Sequence, residues 1–497
     1  MASHAQVLVI GGGPAGSTAA ALLARAGVGV RLLERERFPR YHIGESLLAS
    51  CLSTLRLSGA YDKVAAHGFQ VKRGGVFQWR NDTWLLDWSK LVDVEAWSWQ
   101  VERAVFDEIL LRNASEQGAE VIEQASVERV VFGDGDRPVA AEWTRAGEDE
   151  TRTTTFDFLV DASGRNGVLS RHHFDMRKPH EVFQNTAVWS YWKGARLHPD
   201  SPEGAINVVS TAEGGWFWHI PLGEVFSVGY VVPKKTFVAQ RRRHPSLDSY
   251  YLDVIAASAQ MSGFLDGAQR VGEAQAEQDY SYVSDRFCGP GYAIIGDSAC
   301  FLDPLLSTGV HLATYSALCA AAAIATALRG EMGEAEALTF FDYTYRRAYS
   351  RFLVLVSRMY SQYVGSSEYF SHARTLTTEA QGSDTPQESF TRIIAGLTDM
   401  GESTGREERI GTDTIVSEAE QVRDETAKSN VKYMGGLDMS PVWNIWRDPL
   451  GPDTVMGEVR ITTEPVLGLT TRTRTEAEAA TVTRPHHPPF ATPSASL

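Results

Sequence analysis

Residues 5–36 read "AQVLVIGGGPAGSTAAALLARAGVGVRLLERE", and this stretch decides the fold. A run of β-branched and leucine residues ends in a glycine turn. An alanine-rich stretch follows, then a glycine break and a second apolar run that closes on an acid. That order predicts β-α-β. Gly11, Gly13 and Gly16 stand in G-x-G-x-x-G spacing, with Ala15 beside them. Without side chains there, the backbone can approach a pyrophosphate, which the N-terminus of the following helix stabilises. Glu34 ends the second strand about twenty residues on, where a carboxylate can accept hydrogen bonds from a ribose. Arg35 would lie beside the adenosine half or in solvent. The glycine pattern alone is weak; with the β-α-β context and the acid it predicts a bound dinucleotide.

Outward from that unit, "FDFLVDASG" (156–164) and "GYAIIGDSACFLDP" (291–304) are short apolar strands that run into small or acidic turns. Between them, residues 175–285 alternate polar and apolar, as in "NTAVWSYWKG" and "GWFWHIPLG". This predicts an antiparallel sheet forming a substrate-side layer. The expected class is α/β: a Rossmann-like core over 1–335, discontinuous as 1–175 and 285–335, with that sheet inserted. A mostly helical region is expected over 336–450. The final stretch, 451–497, is rich in Thr, Pro and Ser, and is expected to be disordered. No internal repeat is visible.

Composition excludes some partners. A formal charge of −15, from 47 Lys plus Arg against 62 Asp plus Glu, repels nucleic acid and anionic membranes at long range. Four widely spaced cysteines, Cys51, Cys288, Cys300 and Cys319, without a paired motif or a secretory leader, read as buried thiols of a cytoplasmic protein. The alanine-rich stretch 309–330 carries His311, Thr314, Tyr315 and Ser316, which fits a packed interior helix better than a membrane span. No metal site is expected.

Which dinucleotide binds is decided further along. Gly296 and Asp297 in "GDSACFLDP" resemble the second fingerprint of FAD proteins of the aromatic hydroxylase type, in which the aspartate binds the ribityl chain. Ser307, Thr308 and Gly309 then precede the long helix, where backbone N–H groups form an anion site; a plain N-cap by Ser307 or Thr308 is compatible with it. Within that superfamily "FPRYHIGESLL" (38–48), with Arg40, Gly44, Glu45 and Ser46, resembles flavin-dependent halogenases. Three further stretches are similar to that family. They are Lys72 in "VKRGGVFQW", Arg103 and Asp107 in "QVERAVFDEIL", and the W-x-W-x-I-P pattern of Trp216, Trp218, Ile220 and Pro221. The resemblance covers about residues 5–365 and looks closest to the branch that chlorinates phenols in actinomycete natural-product pathways of the glycopeptide and enediyne type.

The resemblance implies a chemistry. Reduced FAD from a separate flavin reductase would react with O2 to give a hydroperoxide. Chloride held near Thr308 and Gly309 would attack it, and the hypochlorous acid formed would travel to Lys72. There an ammonium would polarise it, or a neutral amine would form a chloramine. Trp216 and Trp218 would stand beside the flavin and keep substrate away from it. Arg40, Glu45, Ser46 and Arg103 would belong to the flavin side. Taken alone, Lys72 reads as a surface lysine and the indoles as a half-buried strand. The additional glutamate of tryptophan halogenases cannot be aligned here, and a phenol needs a strong base less. An aromatic monooxygenase and a non-catalytic FAD scaffold are the competing readings. Finally, "PKKTFVAQRRRHP" (233–245) sets Lys234, Lys235, Arg241, Arg242 and Arg243 against the acidic whole. This run is either a solvated face or a dock for an acidic carrier protein bearing a phenolic substrate.

Overall fold

A computed structural model describes residues 3–79, 82–211, 214–361, 366–377, 385–428 and 458–471. The opening apolar run forms strand Ser3–Ile10, which pairs in parallel with Val30–Glu34 on one side and Arg152–Asp161 on the other. Its Val7, Leu8 and Val9 are fully buried, because a parallel strand is covered on both faces. Strand order across the sheet is Cys288–Gly289, Tyr292–Ile294, Arg152–Asp161, Ser3–Ile10, Val30–Glu34, Glu120–Glu123. Helix Pro14–Arg25 crosses between the first two strands with proline at its start, a position where no backbone N–H is needed. The carboxyl ends of Ser3–Ile10, Arg152–Asp161 and Tyr292–Ile294 therefore open on one edge, where a doubly wound sheet takes its ligand.

The second sheet holds Cys300–Phe301, Gln269–Ser284, Arg177–Lys193, Val225–Pro233, Trp216–Pro221, Ile206–Ser210, Gly74–Trp79 and Asp82–Asp87, in that order. Its central strands are antiparallel, as their alternation predicts. Three strands come from outside 175–285: Cys300–Phe301, which pairs with Gln269–Ser284, and two from the N-terminal part. Gly74–Trp79 pairs in parallel with Ile206–Ser210, and Asp82–Asp87 extends the edge. The first of these follows directly on Lys72, so the inserted layer and that lysine are mechanically joined.

Helix Thr308–Leu328 runs through the middle, buried almost throughout. It is long and apolar enough to cross a membrane, yet alanines make it narrow enough for Pro14–Arg25 and Glu334–Ser361 to pack closely on it. Further helices are Ser366–Thr375, Pro386–Ile394, Leu397–Thr404 and Thr412–Lys428. Inside the stretch expected to be disordered, Val459–Thr462 and Gly468–Thr471 form an antiparallel hairpin. Val459, Ile461, Leu467 and Leu469 are buried there, and Leu469 N–H donates to Thr326 Oγ1 at 2.7 Å. Four apolar residues in alternation thus outweigh the polar composition around them. The remaining tail residues, 451–457 and 472–497, lie outside the described ones, as do 429–450 of the region expected to be helical. Of the cysteines, Cys51, Cys300 and Cys319 are buried, Cys288 is only half-buried, and all four are free thiols.

Candidate functional site

The carboxyl edge of the parallel sheet opens into a cavity of about 640 Å3, the size of a cofactor pocket. The glycines explain how the backbone closes on it. Gly11 has φ +101°, and a Cβ there would lie 2.3 Å from Ala162 O. At Gly16 it would lie 1.9 Å from Gly11 O. Gly13 is different: a Cβ would meet only Arg40 Nη2, at 3.4 Å, so its bare backbone borders open space. Gly11, Gly13 and Ala15 all line the cavity, whereas Gly16 packs behind them. Glu34 is buried, with Oε2 accepting from Gly12 N–H at 2.6 Å and Oε1 from Glu36 N–H at 2.7 Å. It ties the glycine turn to the second strand while keeping lone pairs for a ligand. Arg35 also lines the cavity, but its side chain is mostly exposed and faces Glu36 at 3.5 Å.

Arg103 is buried and grips Asp107 through two bonds of 2.7 and 2.9 Å, while Nη1 donates to Ile43 O and Gly44 O at 3.1 Å each. The sequence separation of four puts both charges on one helix face. The pair fixes the Gly44–Glu45–Ser46 loop from below, and Arg40 joins it at 3.5 Å from Asp107. Glu45 is 3% exposed. Burial pushes its carboxyl up to about 7, against hydrogen bonding by Ser227 and Tyr191. Asp297 sits in the turn Gly296–Ser298, with its carboxylate 4.0 Å from Arg165.

Trp216 and Trp218 both line the cavity, with ring centroids 6.2 Å apart, and Trp189 stands 6.3 Å from Trp218. Trp218 Nε1 donates to Ser227 Oγ at 3.1 Å, and Trp216 Nε1 donates to Tyr360 Oη at 2.6 Å. Tyr360 in turn bonds Asp303. Both indoles are packed strand residues and cavity wall at once. Thr308 and Gly309 line the same cavity at the start of the long helix. Ser307 occupies the N-cap at φ +56° without a side-chain cap bond, so the plain-cap reading is not the arrangement found.

Lys72 lies apart, 2% exposed, in a pocket of about 20 Å3 with Leu48, Phe77, Trp88, Leu305 and Ile394. Its Nζ donates to Ser46 Oγ at 2.8 Å and Leu47 O at 2.9 Å and lies 4.8 Å from the Trp88 ring centroid. No carboxylate is among these contacts, and burial lowers its pKa to about 7. Ser46 lines the large cavity, so one serine hydroxyl joins the two spaces. Ile206 and Ser307 line both.

A family model described as tryptophan halogenase matches residues 6–95 and 85–389. The chain belongs to the flavin-dependent halogenases. This halogenase is 38% identical to a tryptophan 2-halogenase of Chondromyces crocatus, over 96% of each chain. It is 37% identical to a sulochrin halogenase of Aspergillus terreus, over 80% of this chain and 76% of that one. Among solved structures, the FAD-dependent myxobacterial chondrochloren halogenase is 35% identical, with a TM-score of 0.68, covering 84% of this chain and 97% of that one. A flavin-dependent brominase is 25% identical, with a TM-score of 0.72 over 86% and 100%.

The halogenase is thus an oxidoreductase that works on an aromatic substrate with FAD, reduced by a separate flavin reductase, and with O2 and halide as co-substrates. The cavity fits that cofactor: a tight turn that a Cβ at Gly11 or Gly16 would push apart, a backbone open to the cavity at Gly13, and a buried Glu45 Oε2 without a hydrogen-bond partner of good geometry. The sequence reading missed Tyr41, Trp189, Tyr191, Asp303 and Tyr360. "RYHIGE" and "VWSYWKG" carry the first three, but nothing local distinguishes a tyrosine aimed at another strand from one in solvent.

Proposed function

We propose that this halogenase chlorinates an electron-rich phenolic ring in natural-product biosynthesis, with Lys72 delivering the electrophilic chlorine. The observation that carries the reading is a fully buried lysine without a carboxylate partner, linked through Ser46 to the cofactor-sized cavity. Reduced FAD, when bound, would supply two electrons to O2, and the oxygen so activated would take two more from halide and make it an electrophile. Gly11, Gly13 and Ala15 hold the pyrophosphate, with Gly16 packed behind them to let the turn close, and Glu34 holds the ribose, with Arg35 beside it. Arg40 and Arg103 keep the loop of Glu45 and Ser46 against the flavin, and Asp297 takes the ribityl chain. Thr308 and Gly309 hold chloride at unspent N–H groups of the helix start. Trp216 and Trp218 wall the substrate off. Lys72, near neutrality, is available as ammonium to polarise hypochlorous acid or as amine to accept chlorine from it.

The Lys72 pocket has room for about one water, so substrate enters only as side chains around it move. The aromatic cluster of Trp84 with Tyr369, Phe370 and Phe390 at 5.4–6.1 Å closes that side. The basic run after residue 233 docks an acidic carrier protein bearing the phenol, and the enzyme works in the cytoplasm.

The test incubates the protein with FAD, a flavin reductase, NADH and chloride or bromide, and with free phenols, carrier-bound phenols and tryptophan. Masses are then compared. Halide-dependent mass gain on a phenol is expected. Halogenation of tryptophan alone would overturn the phenol reading, and oxygen insertion without halide would favour a monooxygenase.

A further inference from the structure

Halogenation of a ring by halide, O2 and reduced FAD needs a proton from solvent. An aromatic C–H, one halide, O2, FADH2 and one proton give the C–halogen bond, FAD and two waters. O2 takes up four electrons, two from the reduced flavin and two from the halide as it replaces hydrogen on the ring. The solvent proton has to reach the interior of the cavity.

One chain of side chains leads there. Tyr41 is 52% exposed, and its Oη accepts from Trp189 Nε1 at 2.7 Å and lies 2.9 Å from Tyr191 Oη. Tyr191 donates to Glu45 Oε1 at 2.8 Å. Glu45 lines the large cavity, and its Oε2 is buried without a hydrogen-bond partner of good geometry. The charged groups nearest this chain are Arg103 and Glu102 at Glu45 and Glu277 at Tyr41; Arg103 is itself committed to Asp107.

We propose that Tyr41, Tyr191 and Glu45 form a proton wire from solvent to the cavity, with Glu45 Oε2 as the terminal donor. This rests on the reading of the cavity as the flavin site. A proton arriving at Tyr41 Oη displaces the Tyr41 proton to Tyr191, the Tyr191 proton passes to Glu45 Oε1, and the carboxyl proton leaves from Oε2. Each group ends with the number of protons it began with, and rotation of the two phenol hydroxyls together with a flip of the Glu45 carboxyl resets the chain. Neither phenol has to ionise, in keeping with burial, which raises the pKa of both. A carboxyl titrating near neutrality is a matched donor at working pH.

Two measurements test the wire. Infrared spectra of the flavin-free protein below pH 7 should contain a protonated-carboxyl band that Glu45→Gln removes and Tyr191→Phe shifts upward, and adding oxidised FAD should move it again. In single turnovers with reduced FAD, Tyr191→Phe and Tyr41→Phe should each slow halogenation by about tenfold, below the full worth of acid–base catalysis. They should also enlarge the solvent isotope effect, with FAD affinity within about twofold of wild type. Glu45→Gln can lose flavin for structural reasons, so Tyr191→Phe decides. Absence of a Glu45-dependent band below pH 7, or wild-type turnover and isotope effect in Tyr191→Phe, would overturn the wire. A Glu45 band indifferent to FAD would instead overturn the reading of the cavity.

Discussion

Lys72 shows how far a single residue can depart from its sequence-level expectation. Its ammonium would be held by two neutral acceptors and one ring face, which do not repay the loss of water. The folded protein therefore releases this proton at about 7, whereas the unfolded chain keeps it until about 10.4. Between those values the unfolded state binds more protons, so stability rises with pH. Lys72→Met keeps the length of the side chain and removes the titration. Urea melts should show wild type gaining on the variant as pH increases from 7 to 10, with no relative change below 7; a constant difference would refute the lowered pKa. The same variant should retain FAD within about twofold and lose at least about 100-fold in halogenation, read by product mass. Residual chlorination near the wild-type rate would remove Lys72 from the chemistry. The sequence made this lysine visible only through its family-like setting in "VKRGG", because no local pattern reports that a strand pairing with Ser98–Gln100 will bury it.

At the scale of elements, the start of helix Thr308–Leu328 is anchored by groups far apart in sequence. His311 Nδ1 lies 2.7 Å from Ser50 Oγ, and its Nε2 lies 3.0 Å from Asp399 Oδ2. Arg351 pairs with Asp399 and with Glu402, and all of these side chains are at most 5% exposed. Despite its serine–histidine–aspartate order the cluster is structural: a Cβ on Gly396 would lie 2.4 Å from Ser50 Oγ, leaving no space for a substrate. It clamps the C-terminal helices to the turn that carries Thr308 and Gly309. Arg351→Met should leave the buried Asp399 without its arginine and Glu402 with Arg347 alone, 3.5 Å away, and cost about 3–5 kcal/mol, measured by chemical denaturation. A cost below about 1 kcal/mol would show the network to be dispensable. The β-α-β unit and central sheet were legible because periodicity and turn chemistry are local. This clamp was not, since it joins positions 50, 311, 351, 399 and 402, and His311 alone reads only as a polar interruption. The hairpin at 459–471 escaped for the opposite reason: its four buried apolar residues are diluted by a polar tail.

For the whole molecule, charge is the property that acts at a distance. The chain carries −15, and an acidic carrier protein would be repelled unless it met a local basic surface. Helix Lys234–Arg241 and the turn after it supply one, on the far end of strand Val225–Pro233 from Trp192 and Lys193. The members of the run differ in exposure. Lys235, Arg242 and Arg243 are exposed, whereas Lys234 and Arg241 are half-buried, and Arg241 donates to His244 O at 2.8 Å. Reversal of Lys235, Arg242 and Arg243 to Glu therefore changes the surface without cutting that internal bond. If the run docks a carrier, the triple variant should chlorinate the carrier-bound phenol about tenfold more slowly at low salt, through association rate. The two proteins should converge as salt shortens the Debye length to about 3 Å at 1 M. Free phenol should be processed equally by both, because Lys72 and the cavity lie elsewhere. Equal turnover of the tethered substrate at low salt, or a defect that salt leaves untouched, would assign the run to a solvated helix face.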